Sequence, residues 1–290
     1  MGRTVCDGSA FVGCPVKITV TGATGFVGRH VVRALMKRRD IEIVAASRSG
    51  GSVDGVEGVA FDISGKVDTA YADLGSPDVV LHLAWNGLPS YRSAHHIVTE
   101  MPAQFRFLST LADQGLKRLV GVGTCFEYGI VNGALDEGMP THPDNPYGLA
   151  KDCLNKQLAM VLSDYSCSFA WARLFYMFGE GQAPTSLYAL VAQASRDGNE
   201  SFAMSGGEQL RDYLPVEDVA AKLVALAIDT DASGTYNICS GKPRAVRSLV
   251  EEWFAARGAS PTLDLGVYPY PDYEPFAFWG TTEAFSALEI

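Results

Sequence analysis

Short apolar segments alternate with longer amphipathic segments from the N-terminal region to about residue 175. The short segments are rich in β-branched residues, which favours strands, and the longer ones repeat apolar residues at helical spacing. The predicted strands are 16–21, 41–46, 59–62, 79–84, 119–123 and 168–174, and the predicted helices are 26–37, 102–114 and 145–162. This alternation is typical of an α/β fold in which helices cover both faces of a parallel sheet.

The alternation weakens after Leu174. Helices are predicted over 186–196 and 216–228 and a short strand over 235–239, whereas the chain from Pro261 onward is rich in proline and aromatic residues. We expect residues 212–240 to return to the sheet, and residues 176–211 and 241–290 to form a smaller C-terminal lobe. This lobe would cover the carboxyl ends of the strands, the edge at which open α/β sheets bind ligands.

The composition excludes several classes of partner. The 290 residues are 47% hydrophobic and 19% charged with a formal net charge of −10, which indicates a sizeable core and argues against a nucleic-acid surface. No stretch approaches the ~20 apolar residues of a membrane span, and residues 1–15 lack the apolar segment of a signal peptide. The six cysteines and five histidines show no metal-ligand spacing. We therefore expect reduced thiols, a cytoplasmic protein and no metal site.

Residues 21–28 lie between the first predicted strand and its helix and carry three glycines. Gly22 allows a tight turn, Gly25 allows the backbone to approach a pyrophosphate, and Gly28 allows the helix to pack on the sheet. The free N–H groups and the positive end of the helix then face the phosphates. We therefore predict a Rossmann-type doubly wound sheet. Its dinucleotide-binding domain, residues 15–175, binds the cofactor through Gly22, Thr24, Gly25, Phe26, Val27 and Gly28.

The residues after the second predicted strand indicate which dinucleotide is bound. An acidic residue there would bind the ribose 2′-hydroxyl of NAD and repel the 2′-phosphate of NADP. The chain has Ser47-Arg48-Ser49 instead, and an arginine flanked by hydroxyl groups presents several donors to a phosphate. We therefore predict NADP as the cofactor, held by Ser47 and Arg48. The alternative is that Arg48 is an ordinary surface charge.

Tyr147 and Lys151 stand four residues apart in the predicted helix 145–162, and therefore on one face of it. A free tyrosine has a pKa of roughly 10. A neighbouring lysine and the helix N-terminus favour the phenolate, so we expect the pKa of Tyr147 to be lowered. Thr124 ends the fifth predicted strand, where its hydroxyl would reach the crevice. These side chains suit general acid–base catalysis.

In this order, the glycine loop, the strand-five hydroxyl and the Y-x-x-x-K pair resemble the extended short-chain dehydrogenase/reductase family, in particular its nucleotide-sugar epimerase/dehydratase group. The resemblance runs from Val16 to about Gly241. It implies that Thr124, Tyr147 and Lys151 are catalytic, and that Lys151 also holds the nicotinamide ribose. It further implies contacts of the cofactor with Asp62, Ile63, Leu83, Ala84, Tyr147, Lys151 and Leu174.

The same resemblance implies a nucleotide-linked sugar as substrate. Arg211 matches the family's arginine that meets the diphosphate of the sugar nucleotide. The loop after the fourth strand and the residues after Thr124 are expected to line the sugar site, although that loop could equally be a surface loop with an aromatic anchor. A tyrosine stands at position 176, where the family commonly has asparagine. The expected substrate residues are Trp85, Asn86, Cys125, Phe126, Tyr176 and Arg211.

Cys125 and Phe126 reduce the number of reactions that the site could catalyse. The family's dehydratases have Asp and Glu at these positions, and its 3,5-epimerase-reductases have Cys at the second position and a later histidine, whereas this chain has no histidine after His142. An NADPH-dependent 4-ketoreductase and a 4-epimerase that recycles NAD remain, and a non-catalytic NADP-binding regulatory protein is a further alternative. We favour reduction of the C4 carbonyl of a nucleoside-diphosphate-linked 4-keto-6-deoxyhexose, because Ser47 and Arg48 replace the acid expected of an NAD enzyme.

A homodimer is the assembly that the family resemblance suggests. The helices predicted over 102–114 and 145–162 would form its interface. The second of these carries Leu154, Leu158 and Val161 at helical spacing, and the same residues equally suit the core of a monomer.

Overall fold

The computed structural model describes residues 15–270, 274–288 and 290. Residues 1–14, which include Cys6, Cys14 and nearly all of the segment considered for a signal peptide, lie outside the described residues. Residues 271–273 and 289, which belong to the predicted C-terminal lobe, lie outside them as well. No helix within the described part of the chain is long and apolar enough to cross a membrane.

The strands and helices alternate as the apolar pattern predicts. The strands are β1 (Val16–Thr21), β2 (Ile41–Ser47), β3 (Gly58–Ala60), β4 (Val79–His82), β5 (Arg118–Thr124), β6 (Gly133–Leu135), β7 (Ser168–Leu174), β8 (Tyr176–Phe178), β9 (Ser201–Ala203), β10 (Leu210–Arg211), β11 (Tyr213–Pro215), β12 (Gly234–Ile238), β13 (Arg244–Ala245), β14 (Thr262–Asp264) and β15 (Phe278–Gly280). The helices are α1 (Phe26–Leu35), α2 (Ala70–Asp73), α3 (Met101–Asp113), α4 (Pro146–Leu162), α5 (Leu187–Asp197), α6 (Val216–Ile228), α7 (Val246–Ala255) and α8 (Glu283–Ser286).

Seven parallel strands form the central sheet in the order β12-β7-β5-β4-β1-β2-β3. The strand order reverses between β1 and β4, which places a crevice at the carboxyl ends of these two strands. Apolar helices cover both faces of the sheet, with α1 and α6 in one core cluster and α3 and α4 in the other. The predicted α/β fold with a Rossmann-type doubly wound parallel sheet is confirmed.

The apolar residues of helix α4 divide into buried and exposed ones. Leu154 and Leu158 are fully buried against α3 and the sheet. The large apolar residues that α4 exposes are Leu149, at 39%, and Met160, at 76%. Leu154 and Leu158 therefore give no support to a homodimer, which stays a prediction.

A second, smaller core lies in the C-terminal part of the chain. There α5 and α7 pack around Trp253 and Phe254, and β14 pairs with β9. Helix α7 was not predicted from the sequence. It begins after Ala245 without a side-chain hydrogen bond capping its N-terminus. Because the start signal of a helix is a capping side chain, this helix has no local signal at its beginning.

Candidate functional site

The three glycines after β1 shape the turn into α1. Gly22 has a φ of +70°, and a Cβ placed on it would lie 2.8 Å from the backbone nitrogen of Ala84. A Cβ on Gly28 would lie 2.2 Å from the carbonyl oxygen of Gly22, so the close approach of α1 requires glycine there. Gly25 is the N-cap of α1 and makes no side-chain capping bond. The N-terminus of α1 therefore keeps its N–H groups available for an anion.

A cleft, here named the cofactor cleft, runs from this turn across the ends of β2 and β4. Its lining includes nine of the residues predicted to bind the cofactor: Gly22, Thr24, Gly25, Ser47, Arg48, Asp62, Ile63, Leu83 and Ala84. Trp85 and Asn86, which the sequence assigned to the sugar site, line the same cleft. So do Glu100 and Gln104 of the segment that leads into and forms α3, which the sequence analysis did not identify. The lining does not include Phe26, Val27, Gly28, Tyr147, Lys151 and Leu174. The cofactor contacts predicted for both groups of residues stay predictions.

Ser47 and Arg48 stand at the end of β2, beside the cofactor cleft. The Ser47 hydroxyl is buried and has no hydrogen-bond partner among the described residues, whereas Arg48 is exposed. Asp62 faces this end from the neighbouring segment and accepts hydrogen bonds from the backbone N–H and hydroxyl of Ser64, at 3.0 and 2.7 Å. These bonds, helped by the charge of Arg48, hold the pKa of Asp62 below its usual value. An unpaired hydroxyl and an exposed guanidinium fit a phosphate-bearing ligand here.

A buried polar network supports the floor of the cleft. The Gln104 amide donates to Glu100 Oε1 at 2.7 Å and to the carbonyl of Ala84 at 3.2 Å. The same Glu100 oxygen accepts from the backbone N–H of Asn86 at 2.9 Å. His82 Nδ1 lies 2.8 Å from the Thr21 hydroxyl, and burial lowers the pKa of His82 to about 3. The network therefore fixes the backbone of Ala84 and Asn86 after β4. His82, the last residue of β4, is neutral.

Lys151 connects the helix α4 to the cofactor cleft. Asn145 caps α4 by accepting from the backbone N–H of Gly148 at 2.9 Å. One turn later, Lys151 Nζ donates to the carbonyl of Val122 at 2.7 Å and lies 3.9 Å from the centre of the Trp85 ring. Burial lowers the pKa of Lys151 to about 7, and the charges of Glu127 and Glu100 partly oppose the shift.

Tyr147 lies in an aromatic cluster one turn before Lys151. Its ring centre is 5.9 Å from that of Trp85, 5.5 Å from that of Tyr91 and 5.3 Å from that of His96. Burial raises the pKa of Tyr147 above its ordinary value, so the expected lowering was wrong for the protein without cofactor. The reason is that Tyr147 is only 8% exposed, and desolvation disfavours the phenolate. Tyr147 is therefore a protonated phenol at neutral pH.

His96 fixes the position of Trp85. The indole N–H of Trp85 donates to His96 Nδ1 at 3.1 Å, and His96 Nε2 lies 3.1 Å from the carbonyl oxygen of Ser90. Burial lowers the pKa of His96, so the ring stays neutral, with Nδ1 as acceptor and Nε2 as donor. This pair holds the indole of Trp85 against Lys151.

Thr124 is the last residue of β5, and a single 3-10 turn follows it. Its hydroxyl accepts from the backbone N–H of Phe126 at 3.3 Å. The fully buried Glu127 accepts from the backbone N–H of Thr124 at 2.9 Å, from Trp171 Nε1 at 3.0 Å and from Arg173 Nε at 2.6 Å. Glu127 is therefore a positioning residue that fixes Thr124 at the end of the strand.

Four side chains from separate segments form a cluster here named the sugar end: Cys125, Tyr176, Arg211 and Glu274. Arg211 is 3% exposed, and its Nη2 donates to Glu274 Oε2 at 2.9 Å. The Tyr176 hydroxyl donates to Glu274 Oε1 at 2.5 Å. Burial, and then the charge of Glu274, raise the pKa of Cys125 to about 12. The predicted contact of Arg211 with a diphosphate stays a prediction, and Glu274 escaped the sequence analysis because no local motif marks it.

The cysteines within the described residues are free thiols: Cys125, Cys153, Cys167 and Cys239. In the same part of the chain, no group of three or more His, Cys, Asp or Glu side chains is arranged to hold a metal ion.

The sequence of the chain is similar to those of known proteins. The model of the NAD dependent epimerase/dehydratase family matches residues 18–239. A dTDP-6-deoxy-L-talose 4-dehydrogenase (NAD(+)) of Aggregatibacter actinomycetemcomitans is 30% identical, with 91% of this chain and 99% of the relative covered. A UDP-glucose 4-epimerase of Halalkalibacterium halodurans is 27% identical, with 81% of this chain and 78% of the relative covered.

The fold has close counterparts among solved structures. The structure of MoeE5 in complex with UDP-glucuronic acid and NAD matches with a TM-score of 0.79 at 23% identity, with 93% of this chain and 91% of that chain covered. At that identity the match concerns the fold alone. The family match spans most of the chain and includes the glycine turn, Thr124, Tyr147 and Lys151. The chain therefore belongs to the NAD dependent epimerase/dehydratase family.

Proposed function

We propose that the protein is an NADP-dependent oxidoreductase. It reduces the C4 carbonyl of a 4-keto-6-deoxyhexose linked to a nucleoside diphosphate, a step in the synthesis of a deoxysugar. The observation that carries the proposal is that a protonated Tyr147 and the Lys151 ammonium both pack against Trp85, which lines the cofactor cleft. A phenol and an ammonium at the edge of a dinucleotide cleft suit proton donation to a carbonyl that receives a hydride.

The residues after Thr124 argue against water elimination. Cys125 and Phe126 cannot act as a carboxylic acid and carboxylate pair. The nearest carboxylate along the chain, Glu127, is fully buried and bonded to Trp171 and Arg173. A reaction that needs only a hydride and one proton therefore fits the site better than a dehydration.

The relatives support a nucleotide-linked sugar as substrate. The relative from Aggregatibacter is named for dehydrogenation at C4 of a 6-deoxyhexose carried by dTDP. Reduction of a 4-keto sugar is the reverse of that reaction: it forms the C4–H bond that dehydrogenation breaks. We propose that the lobe of residues 176–211 and 241–290 binds the sugar nucleotide above the cofactor domain, with Trp85 and Phe126 at the boundary between the two ligands.

The end of β2 supports NADP over NAD. Ser47 and Arg48 stand where an acid would repel the 2′-phosphate, and Asp62 is already bonded to Ser64. The name of the Aggregatibacter relative specifies NAD(+). The cofactor therefore has to be measured for this chain and not transferred from a relative.

The residues of the site divide the work of the reduction. The bound nicotinamide cofactor supplies the hydride. Tyr147 donates a proton to the C4 oxygen, and Thr124 orients that oxygen with its hydroxyl. Lys151 binds the nicotinamide ribose, and its positive charge stabilises the phenolate that Tyr147 leaves behind. Glu127 and His96 act through other residues, the first by fixing Thr124 and the second by fixing Trp85.

A 4-epimerase is the second candidate, favoured by the similarity to UDP-glucose 4-epimerase. It would use the same residues, first to oxidise C4 and then to reduce it from the other face. A non-catalytic NADP-binding protein is the third candidate. The presence of Thr124, Tyr147 and Lys151 argues against it, because binding alone does not need all three groups.

The test is incubation of the protein with NADPH and a panel of nucleotide-linked 4-keto-6-deoxy sugars, with products identified by NMR. The reductase should consume one NADPH for each sugar reduced. An epimerase should interconvert 4-hydroxy epimers with no net change in cofactor, and a binding protein should do neither. Either of these last two results would overturn the proposed reaction.

A further inference from the structure

The ion pair of Arg211 and Glu274 at the sugar end is asymmetric. Arg211 is fixed by several contacts: its Nη1 donates to the carbonyls of Leu210 and Phe276 at 2.9 and 3.0 Å, and its guanidinium lies 4.8 Å from the centre of the Phe278 ring. Glu274 has only two hydrogen-bond partners within the described residues, Arg211 and the Tyr176 hydroxyl. The side chain of Glu274 is 15% exposed, whereas that of Arg211 is 4% exposed. Of the two partners, Glu274 is therefore the one that can move out of the ion pair.

The pair faces the catalytic end of the site. Cys125 directly follows Thr124 and packs in one apolar cluster with Phe278 and Tyr176. Burial, and then the charge of Glu274, raise the pKa of its thiol. Tyr176, the other partner of Glu274, packs its ring against Tyr213 and Phe278 beside the pair. The carboxylate of Glu274 therefore lies in the sugar end, next to the segment that carries the catalytic threonine.

Loss of Glu274 alone would leave the buried charge of Arg211 without the anion that now pairs with it, which is costly. Carboxylates and phosphates satisfy the same planar set of donors on arginine. In the chain without substrate, Glu274 is the anion that satisfies Arg211. A ligand that brings its own phosphate can therefore replace the carboxylate without leaving Arg211 unpaired.

We propose that Glu274 is a further residue of the substrate site, and that it sets the affinity for the sugar nucleotide. Its carboxylate occupies Arg211 while the site is free, and the diphosphate of the sugar nucleotide replaces it. This inference rests on the proposed function, since it takes a nucleoside diphosphate as the ligand of Arg211. The exchange favours ligands that carry phosphate, because a neutral sugar cannot replace the carboxylate.

The test is calorimetric titration of UDP, dTDP and GDP into the full chain and its Glu274→Gln variant. Without the competing carboxylate, the variant should bind its preferred diphosphate at least about tenfold more tightly. Glu208→Gln is the matched control, because Glu208 also accepts from a tyrosine hydroxyl, that of Tyr270 at 2.6 Å, but is not a partner of Arg211. Its affinity should equal that of the original chain. Unchanged or weaker binding in Glu274→Gln would overturn the inference.

A second variant covers the case in which Glu274→Gln does not fold, as judged by its melting temperature and NADP binding. Tyr176→Phe keeps the charge of Glu274 but removes the bond that holds it in place. It should bind the bare diphosphate more tightly than the original chain, by a smaller factor than Glu274→Gln, and weaker binding would contradict the exchange. Tighter binding without NADPH consumption would refute only the reductase reaction. Absence of diphosphate binding in every variant would refute both proposals.

Discussion

The cofactor cleft and the sugar end are built in different ways. The cleft consists of backbone groups and short side chains that are left open: the N-terminus of α1 has no side-chain cap, and the Ser47 hydroxyl has no partner among the described residues. At the sugar end, Arg211, Glu274 and Tyr176 are already bonded to one another. The cleft is thus ready for its ligand, whereas binding at the sugar end is an exchange of one anion for another.

Tyr147 packs against Trp85 of the cofactor cleft and against Phe126, the residue after Cys125, and its removal should have the largest effect. Tyr147→Phe should lower turnover by about 10²–10⁴-fold, because a positioned general acid contributes that much. NADPH binding should be preserved, because the substitution removes a single hydroxyl group. Turnover assays and cofactor titration measure the two effects separately.

Tyr165→Phe is the matched control for this prediction, since Tyr165 follows the C-terminal end of α4, away from the site. It should leave turnover unchanged. Stoichiometric NADPH consumption that survives in Tyr147→Phe would mean that another group, such as Thr124 or a bound water, supplies the proton.

Arg48→Ala tests the cofactor cleft alone. Loss of a charge-assisted contact to the 2′-phosphate should weaken NADP binding by about 1–3 kcal/mol, which is about 5- to 150-fold, and leave NAD binding unchanged. Calorimetric titration of both cofactors measures this. Arg39→Ala is the control, because Arg39 is also exposed but precedes β2 at the opposite end of the strand. Equal affinity of the unmodified protein for NADP and NAD would contradict the predicted preference.

The pH dependence of reduction should show the smallest effect. The pKa of Lys151 is lowered to about 7, so its positive charge is present below that pH and is lost above it. If the charge is required, kcat/KM should fall by about tenfold per pH unit above pH 7. Lys156→Ala, which removes an exposed lysine of the same helix, should leave the profile unchanged. A profile that stays flat to about pH 9 would show that the charge of Lys151 is not required.

The contrast between the two regions also explains how much the sequence could predict. The glycine turn is a contiguous motif whose spacing alone determines a tight turn and a close helix. Gly22 and Gly25 were therefore placed correctly on the turn into α1, and Gly28 in the first turn of the helix. Tyr147 and Lys151 share a helix face because of their four-residue spacing. The central sheet followed from the alternation of apolar and amphipathic segments.

The partners of these residues could not be predicted in the same way. Glu274 meets Arg211 across 63 positions of the chain, and Glu127 meets Arg173 across 46. Such pairs depend on tertiary packing, and no local periodicity encodes them. The same applies to the pKa of Tyr147, because the spacing places a lysine nearby but does not report how deeply the phenol is buried.

The buried pair of Glu127 and Arg173 has a consequence for how this site can evolve. Glu127 accepts hydrogen bonds from Thr124 at the end of β5 and from Arg173 near the end of β7. A substitution of Glu127 alone or of Arg173 alone therefore leaves the other charge buried without its partner. Such a loss typically costs about 3–5 kcal/mol, whereas joint replacement by apolar residues of similar volume is often close to neutral. In a diverging lineage the two positions should therefore change together, and with them the orientation of the threonine that precedes the turn.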